Sequence, residues 1–505
     1  MTRARRRRPA ALAHRAAAPA GVAPPALRVA PSAVPAFEHP LAARYASREM
    51  VAIWSPQRRY STWRRVWVAL AEAERALGLP VSARQVAQLR AAVDRVDFAA
   101  VARYEARMRH DVMAHIHAYG DVAPAARGII HLGATSMDIV DNADLLLTRE
   151  ALGLLRGRVA AVVAALADFA ARYADLPTLG YTHLQPAQLT TVGKRACLWL
   201  ADLLVDLERL DGLARNLPCR GLRGATGTQA SFLTLLGSAA RVRRLERLFA
   251  RRLGFATCVP VCGQTYSRKL DADIIAALAS LAAGVHKICN DLRLLALLKE
   301  VEEPFGRAQV GSSAMPYKRN PMKCERATGL ARYLISLATS PVQTLAAQML
   351  ERTLDDSSNK RLVFPEAFLA ADALLVLLRE IADGLVVYPA TIAAHVAAEL
   401  PFIATEDILM AAVRRGGDRQ ELHERLRRHA QAASQRVQQA GAPNDLLERL
   451  RGDPAFRGLR WERVLDPRRY VGLAPQQTRE FLRKHVRPAL RRHARHIRAA
   501  GTPAV

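Results

Sequence analysis

The sequence predicts an all-α protein of three domains, built around a central bundle of long helices. Three observations carry that expectation. Ala, Leu and Arg dominate while aromatic residues make up only 6% of the 505-residue chain, a composition that favours helix. From Tyr45 onward apolar residues recur at helical spacing between short breaks, with no convincing strand alternation and no internal repeat. Two proline-free runs, Leu189 to Leu217 and Asp271 to Val301, are long enough for rods of roughly 45 Å, which are stable only when packed against others of similar length.

In chain order, residues 1 to 36 are Ala, Pro and Arg, with seven arginines and no acid before Glu38, and read as a disordered tail. Its acid-free, Arg-rich composition resembles an organellar transit peptide, but prolines 9, 19, 24, 25, 31 and 35 spoil an amphipathic helix. An N-terminal helical domain is expected over 37–134. In it Trp63 to Leu77 places Val66, Leu70, Ala73 and Leu77 on one stripe, and Gly78-Leu79-Pro80 ends it. The central domain spans 135–387 and holds the two long runs, one striped by Leu200, Leu203, Leu207 and Leu210, the other by Ile274, Leu278, Leu281, Val285, Ile288, Leu292 and Leu295. A C-terminal helical domain, 388–505, closes on Arg479 to Arg498, where eight Arg or Lys face one Glu; this reads as a solvated terminal helix.

The net charge of +28 is carried almost wholly by arginine. Basic chains attract polyanions. Arginine used as the default surface cation accounts for most of it, and no basic stripe interleaved with aromatics, finger, homeodomain or RNP-like motif is present. Nonspecific nucleic-acid affinity is compatible with this surface. The six cysteines lack the paired C-x-x-C spacing of zinc or redox sites and suit reduced thiols in a cytoplasmic protein. The longest uncharged run, Leu334 to Leu350, is broken by Ser, Thr, Gln and Pro, so no membrane span is expected. His110, His115 and His117 do not fall together on one helical face, and no metal site is expected.

The segment G-S-S-A-M-P-Y-K-R-N-P, 311–321, is a loop by its glycine, serine pair and prolines. A loop ending at a helix N-terminus offers backbone donors to an anion, to which Lys318 and Asn320 add a cation and an amide. Ser312 and Ser313 have hydroxyls that need strong activation to act as nucleophile or base. From the residues alone a catalytic loop and a structural capping loop are equally good readings. The glycine cluster G-L-R-G-A-T-G, 221–227, is neither a phosphate-binding Walker loop nor a dinucleotide fingerprint, and reads as a flexible loop.

S-S-x-M-P-x-K-x-N-P resembles the signature of the fumarase, aspartase and argininosuccinate lyase superfamily. R-Y-A-S at 44–47, R-H-D-V-M-A-H at 109–115, H-L-G-A-T-S at 131–136, T-H-L-Q-P-A-Q-L-T-T-V-G-K-R at 182–195, G-Q-T-Y-S-R-K at 263–269 and E-R-T-L-D-D-S at 351–357 resemble the adenylosuccinate lyase family of the animal type. The resemblance runs from about Pro40 to Pro488.

It implies the superfamily's three-domain fold, a cofactor-free and metal-free β-elimination, and a homotetramer whose active sites draw on several subunits. It makes Ser312 the base, His183 the general acid and Glu325 the acid paired with that histidine. Lys318, Asn320, Thr135, Ser136 and Thr182 are implied to bind carboxylates and the intermediate. Arg44, Tyr45, Arg352, Ser357 and Arg361 are implied to bind the nucleotide and its phosphate, and His110, Asp111, Gln264 and Arg326 complete the set. The substrates implied are adenylosuccinate and the succinylated aminoimidazole carboxamide ribotide, SAICAR. Argininosuccinate lyase, fumarase and aspartase share the signature, but the flanking motifs favour the purine enzyme. A catalytically silent RNA-binding protein on the same scaffold would suit the basic surface, but the persistence of Ser312, His183, Glu325, Lys318 and Asn320 speaks for an enzyme.

Overall fold

The computed structural model describes residues 37–306 and 308–499; the tail expected at 1–36 lies outside the described residues. Everything below concerns the compact unit that begins at Pro40. Its N-terminal part holds α1 (Arg48–Trp54), α2 (Pro56–Ala76), α3 (Ala83–Ala91), α4 (Phe98–Met108) and α5 (Asp111–Val122). Helix α2 starts seven residues earlier than the apolar stripe alone suggested, because the Ser55 hydroxyl accepts the Arg58 N–H and Pro56 takes the first helical position. Its stripe of Val66, Leu70 and Ala73 is fully buried, with Trp63 and Trp67 beside it.

The centre is built from α6 (Ser136–Arg172), α7 (Val192–Asn216), α8 (Ala230–Leu236), α9 (Ala239–Arg252), α10 (Lys269–Leu297), α11 (Met322–Leu337), α12 (Thr339–Ala347) and α13 (Asp355–Gly384). The 37 residues of α6 make a rod of about 55 Å. It packs on α7 and α13, while α10 packs on α7, α11 and α13. Leu152, Leu155, Val159, Leu200, Leu203, Leu278, Leu281, Leu374 and Leu378 form the buried spine. Helix α10 is the one described helix long and apolar enough to cross a membrane by length and composition, and its apolar face serves this bundle. It ends at Leu297 rather than Val301, where Lys299 adopts a left-handed φ of 57°.

Residues 177–191, in which the sequence showed no alternation, form an antiparallel hairpin of β1 (Pro177–Thr182) and β2 (Gln185–Thr191). Its two-residue turn is His183-Leu184, with φ of 52° and 61°. Such turns are normally flagged by Asn or Gly, and neither stands here. A second ladder pairs β3 (Val301–Glu302) with β4 (Val386–Val387).

The C-terminal helices are α14 (Pro389–Ile403), α15 (Thr405–Val413), α16 (Arg419–Ala440), α17 (Leu446–Gly452), α18 (Trp461–Val464), α19 (Ala474–Phe481) and α20 (Arg487–Ala499). Helices α15 to α17 enclose a separate core of Ile408, Leu409, Leu422, Leu426, Leu446, Leu450 and Phe456. The terminal helix expected to be solvated is so on one face only. A π turn, Leu482–Val486, joins α19 to α20, and both pack along α6, with Val486 of the turn and Ala489 and His493 of α20 buried. The sequence hid this because arginines crowd the opposite face.

Candidate active site

Helix α13 and the turn before it gather one group of site residues. Arg352 donates from Nη1 to Gln264 Oε1 at 2.7 Å and from Nη2 to Ser357 Oγ at 2.8 Å, and Ser357 in turn donates to Asp356 at 3.0 Å. One turn along, exposed Arg361 donates to Asp111 Oδ2 at 2.6 Å. His110 caps α5, its Nδ1 accepting the Met113 N–H at 3.4 Å. Arg44 and Tyr45 end a π turn that packs on α13, with the Arg44 guanidinium 5.8 Å from the Tyr45 ring centre. The structure thus gathers Gln264, Arg352 and Ser357 into one hydrogen-bonded cluster, with Arg361 and Asp111 beside it. Arginine forks at the start of a helix suit an anion such as a phosphate.

Thr135 and Ser136 stand at the N-terminus of α6, where the Asp138 carboxylate reaches back to the Thr135 N–H at 2.8 Å. The loop before them is held by Trp67, whose indole N–H donates to His131 Nδ1 at 3.1 Å. Burial lowers the His131 pKa to about 4, so its ring is neutral and an acceptor at Nδ1.

In the serine loop Ser312 Oγ accepts the N–H groups of Ala314 and Met315 at 3.3 and 3.1 Å. Two amide donors on one hydroxyl oxygen stabilise developing alkoxide character, which a serine base requires. Gly311 is there because a Cβ would lie 2.1 Å from the Lys318 carbonyl oxygen, and Asn320 Nδ2 donates to the Gly311 carbonyl at 2.8 Å. Lys318 is exposed.

The free backbone donors expected where this loop meets a helix are absent among the described residues. Glu303 accepts the N–H groups of Lys323 and Cys324, both at 2.9 Å, and the Met322 and Glu325 N–H groups bond to Asn320 and Pro321 carbonyls. At this loop the groups left to meet an anion are side chains.

Thr182 and His183 are exposed at the hairpin tip, and Glu325 and Arg326 are exposed in the first turn of α11. Among the described residues no hydrogen bond or ion pair joins His183, Ser312 and Glu325. Nor do the three histidines of α5 converge: His115 stacks on Tyr60 at 3.8 Å and His117 on Tyr104 at 5.2 Å.

Sequence reasoning missed a buried charge network beneath the site. Arg268 donates to Asp141 at 3.1 Å and to Asp356 at 2.6 Å, and Lys360 lies 3.4 Å from Asp144 and 3.6 Å from Asp271. Burial would lower the Arg268 pKa, but the surrounding acids and Tyr266 outweigh it and raise it well above the ordinary value. Asp138, Asp141 and Asp144 fall every third residue along the start of an apolar helix, and that spacing was the available signal. The glycine loop 221–227, read as flexible, is tied down: Asp138 accepts from Arg223 N, and Gly227 sits where a Cβ would meet the Cys262 carbonyl oxygen at 1.9 Å.

A family model described as Lyase matches residues 47–335, and another, described as Adenylosuccinate lyase C-terminus, matches residues 401–481. The chain is 50% identical to adenylosuccinate lyase of Saccharomyces cerevisiae over 461 residues, covering 90% of this chain and 95% of that one. The chain belongs to the adenylosuccinate lyase family. The Schistosoma mansoni member is 46% identical over 90% of this chain and 96% of its own. The motifs at 109–115, 131–136, 182–195, 263–269 and 311–321 lie within the residues that the Lyase model matches. The family's fold extends to enzymes of other names. The 3-carboxy-cis,cis-muconate lactonizing enzyme of Pseudomonas putida superposes with a TM-score of 0.77 at 25% identity, covering 90% of this chain and 99% of that one. A fumarate lyase of Mesorhizobium sp. BNC1 gives 0.75 at 26%, covering 89% and 100%. The fold alone therefore does not select the substrate; the side chains do.

Proposed function

We propose that the chain eliminates fumarate from adenylosuccinate, giving AMP, and from SAICAR, giving the aminoimidazole carboxamide ribotide. The observation that carries this reading is the 50% identity to the yeast adenylosuccinate lyase across nine-tenths of the chain. Ser312 removes the proton from the succinyl carbon next to a carboxylate, and the charge spreads into that carboxylate. Lys318, Asn320, Thr135, Ser136 and Thr182 supply cation and donors there, where preorganised groups act most strongly. His183, supported by Glu325, gives its proton to the departing nitrogen as the carbon–nitrogen bond breaks. Arg44, Tyr45, Arg352, Ser357 and Arg361 hold the nucleotide and its phosphate, with His110, Asp111, Gln264 and Arg326 around them.

The working form is a homotetramer. Exposed apolar residues on the long helices support it, Leu198 and Val205 on α7, Leu294 and Leu297 on α10 and Leu362 on α13. We place the protein in the cytoplasm, divide it at 134/135 and 387/388, and ascribe to its basic surface a weak, salt-sensitive affinity for nucleic acid. An absorbance assay of the purified protein with adenylosuccinate, SAICAR and argininosuccinate tests the activity. Fumarate release from both purine substrates is expected; release from argininosuccinate alone overturns the reading, and release from none favours a silent scaffold.

A further inference from the structure

We infer that Asp138 is a positioning residue for the elimination: it joins the helix end carrying Thr135 and Ser136 to the loops carrying Gln264 and Arg352, and so sets the spacing between the carboxylate-binding and phosphate-binding halves of the site. The inference rests on the roles proposed above for those four residues. Asp138 is fully buried, so it acts through its neighbours rather than on substrate. Its two oxygens serve different segments of the chain. Oδ2 accepts the Thr135 N–H at 2.8 Å. Oδ1 accepts the N–H groups of Arg223 at 2.7 Å and Gly224 at 3.2 Å, together with Nη1 of Arg220.

Arg220, also fully buried, carries the link onward. Its Nη2 donates to the carbonyl oxygens of Gly224, at 3.3 Å, and of Gln264. Gln264 is then fixed on its remaining sides. Its N–H donates to the Glu351 carbonyl at 3.1 Å, Nε2 to the Ala225 carbonyl at 3.0 Å, and Oε1 accepts from Arg352. The chain of contacts Thr135–Asp138–Arg220–Gln264–Arg352–Ser357 runs from one end of the proposed site to the other. One turn further along α6, Asn142 doubles the tie: its Oδ1 accepts the Gly221 N–H at 3.3 Å and its Nδ2 donates to the Gly221 carbonyl at 3.0 Å.

Only a carboxylate fits this place. It accepts four donors on two oxygens and balances a guanidinium cut off from water. An asparagine has one acceptor oxygen, so its amide faces either the Thr135 N–H or Arg220, and donor meets donor. A shift of about 1 Å in registry between the two halves costs on the order of a hundredfold in rate, because the succinyl carbon and the departing nitrogen must meet base and acid together.

The test compares wild type with Asp138→Asn and with the double variant Asp138→Asn/Arg220→Met, which removes the buried charge that the single change leaves with only the more distant Asp141, 4.0 Å from its Nε. In the full-length protein, kcat/KM for adenylosuccinate is measured alongside inhibition constants for AMP and fumarate, each of which fills only one half of the site. Thermal unfolding of each variant is followed in parallel. The expected result is a loss of at least about 30-fold in kcat/KM in both variants, with AMP and fumarate bound within about threefold of wild type and thermal stability recovered in the double variant. Recovery of kcat/KM together with stability in the double variant overturns the inference, as does weakening of AMP and fumarate in proportion to the loss of turnover. Should the single variant not fold, the double variant decides. A wild-type protein that releases no fumarate from adenylosuccinate is a different result, and it is the activity reading that then fails.

Discussion

Arg361 reaches across 250 residues of sequence to place its guanidinium 2.6 Å from the Asp111 carboxylate, pinning the first turn of α5 to α13. Both side chains keep access to solvent, at 49% and 29% exposure, so the pair adds at most about 1 kcal/mol to stability. The role proposed for Arg361 is in binding the nucleotide. Arg361→Ala is expected to leave the melting temperature within about 2 °C, while Arg361→Ala, Arg352→Ala and Arg44→Ala each raise KM about tenfold or more, the scale of losing a charge-assisted hydrogen bond. For exposed Arg44 the effect shrinks at high salt, where the contact is already screened. Steady-state kinetics at two ionic strengths check this, and a pure kcat defect with unchanged KM contradicts it.

Removing either proton-transfer group acts on the chemical step. Ser312→Ala and His183→Ala are each expected to lower turnover at least about 100-fold with the fold intact by circular dichroism. Near-normal turnover of either purified variant sinks the role assigned to that residue.

If the proposed tetramer draws the His183 and Ser312 of each site from different subunits, the two dead variants should rescue each other. When His183→Ala and Ser312→Ala chains exchange subunits at random, a site works if both its donors are intact, about one half times one half, so roughly a quarter of wild-type activity returns. Both parents must first be shown inactive and tetrameric by light scattering. Verified exchange by mass with activity at the parental background refutes the shared site.

Glu74 is buried in α2 with neither carboxyl oxygen hydrogen-bonded among the described residues, and burial raises its pKa to about 8. An acid whose pKa is higher folded than unfolded contributes stability that is complete below the unfolded value of 4.5 and lost as pH rises through 8. Glu74→Gln abolishes that dependence. Its melting temperature relative to wild type is expected to improve by at least about 3 °C between pH 5 and pH 8, which calorimetry measures. An unchanged difference across that range contradicts an ionisable Glu74 buried without a partner.

Deleting residues 1–36 is expected to leave more than half of the activity, because their composition cannot bury a core and no site motif lies there. A larger loss in truncated protein that is still tetrameric refutes this.

What the sequence determined by itself is what local chemistry dictates. Apolar residues at helical spacing specified the long rods, since a stripe such as Ile274, Leu278 and Leu281 has no use except against another helix. Glycine, serine and proline made 311–321 a loop, and its motif led to the lyase superfamily. Tertiary structure decided the rest, because the stabilising partners lie far along the chain. His183 and Leu184 hold left-handed conformations that neither residue favours alone, and they do so because the flanking strands pair from Pro177 to Thr191. The apparently solvated C-terminal helix docks through a face of few apolar residues, and the backbone donors at the start of α11 are taken by Glu303, twenty residues upstream. The spacing of Asp138, Asp141 and Asp144 hinted at buried acids, but nothing local named Arg220, 82 residues on, as the partner of Asp138; the fold buries both and so makes their pairing necessary.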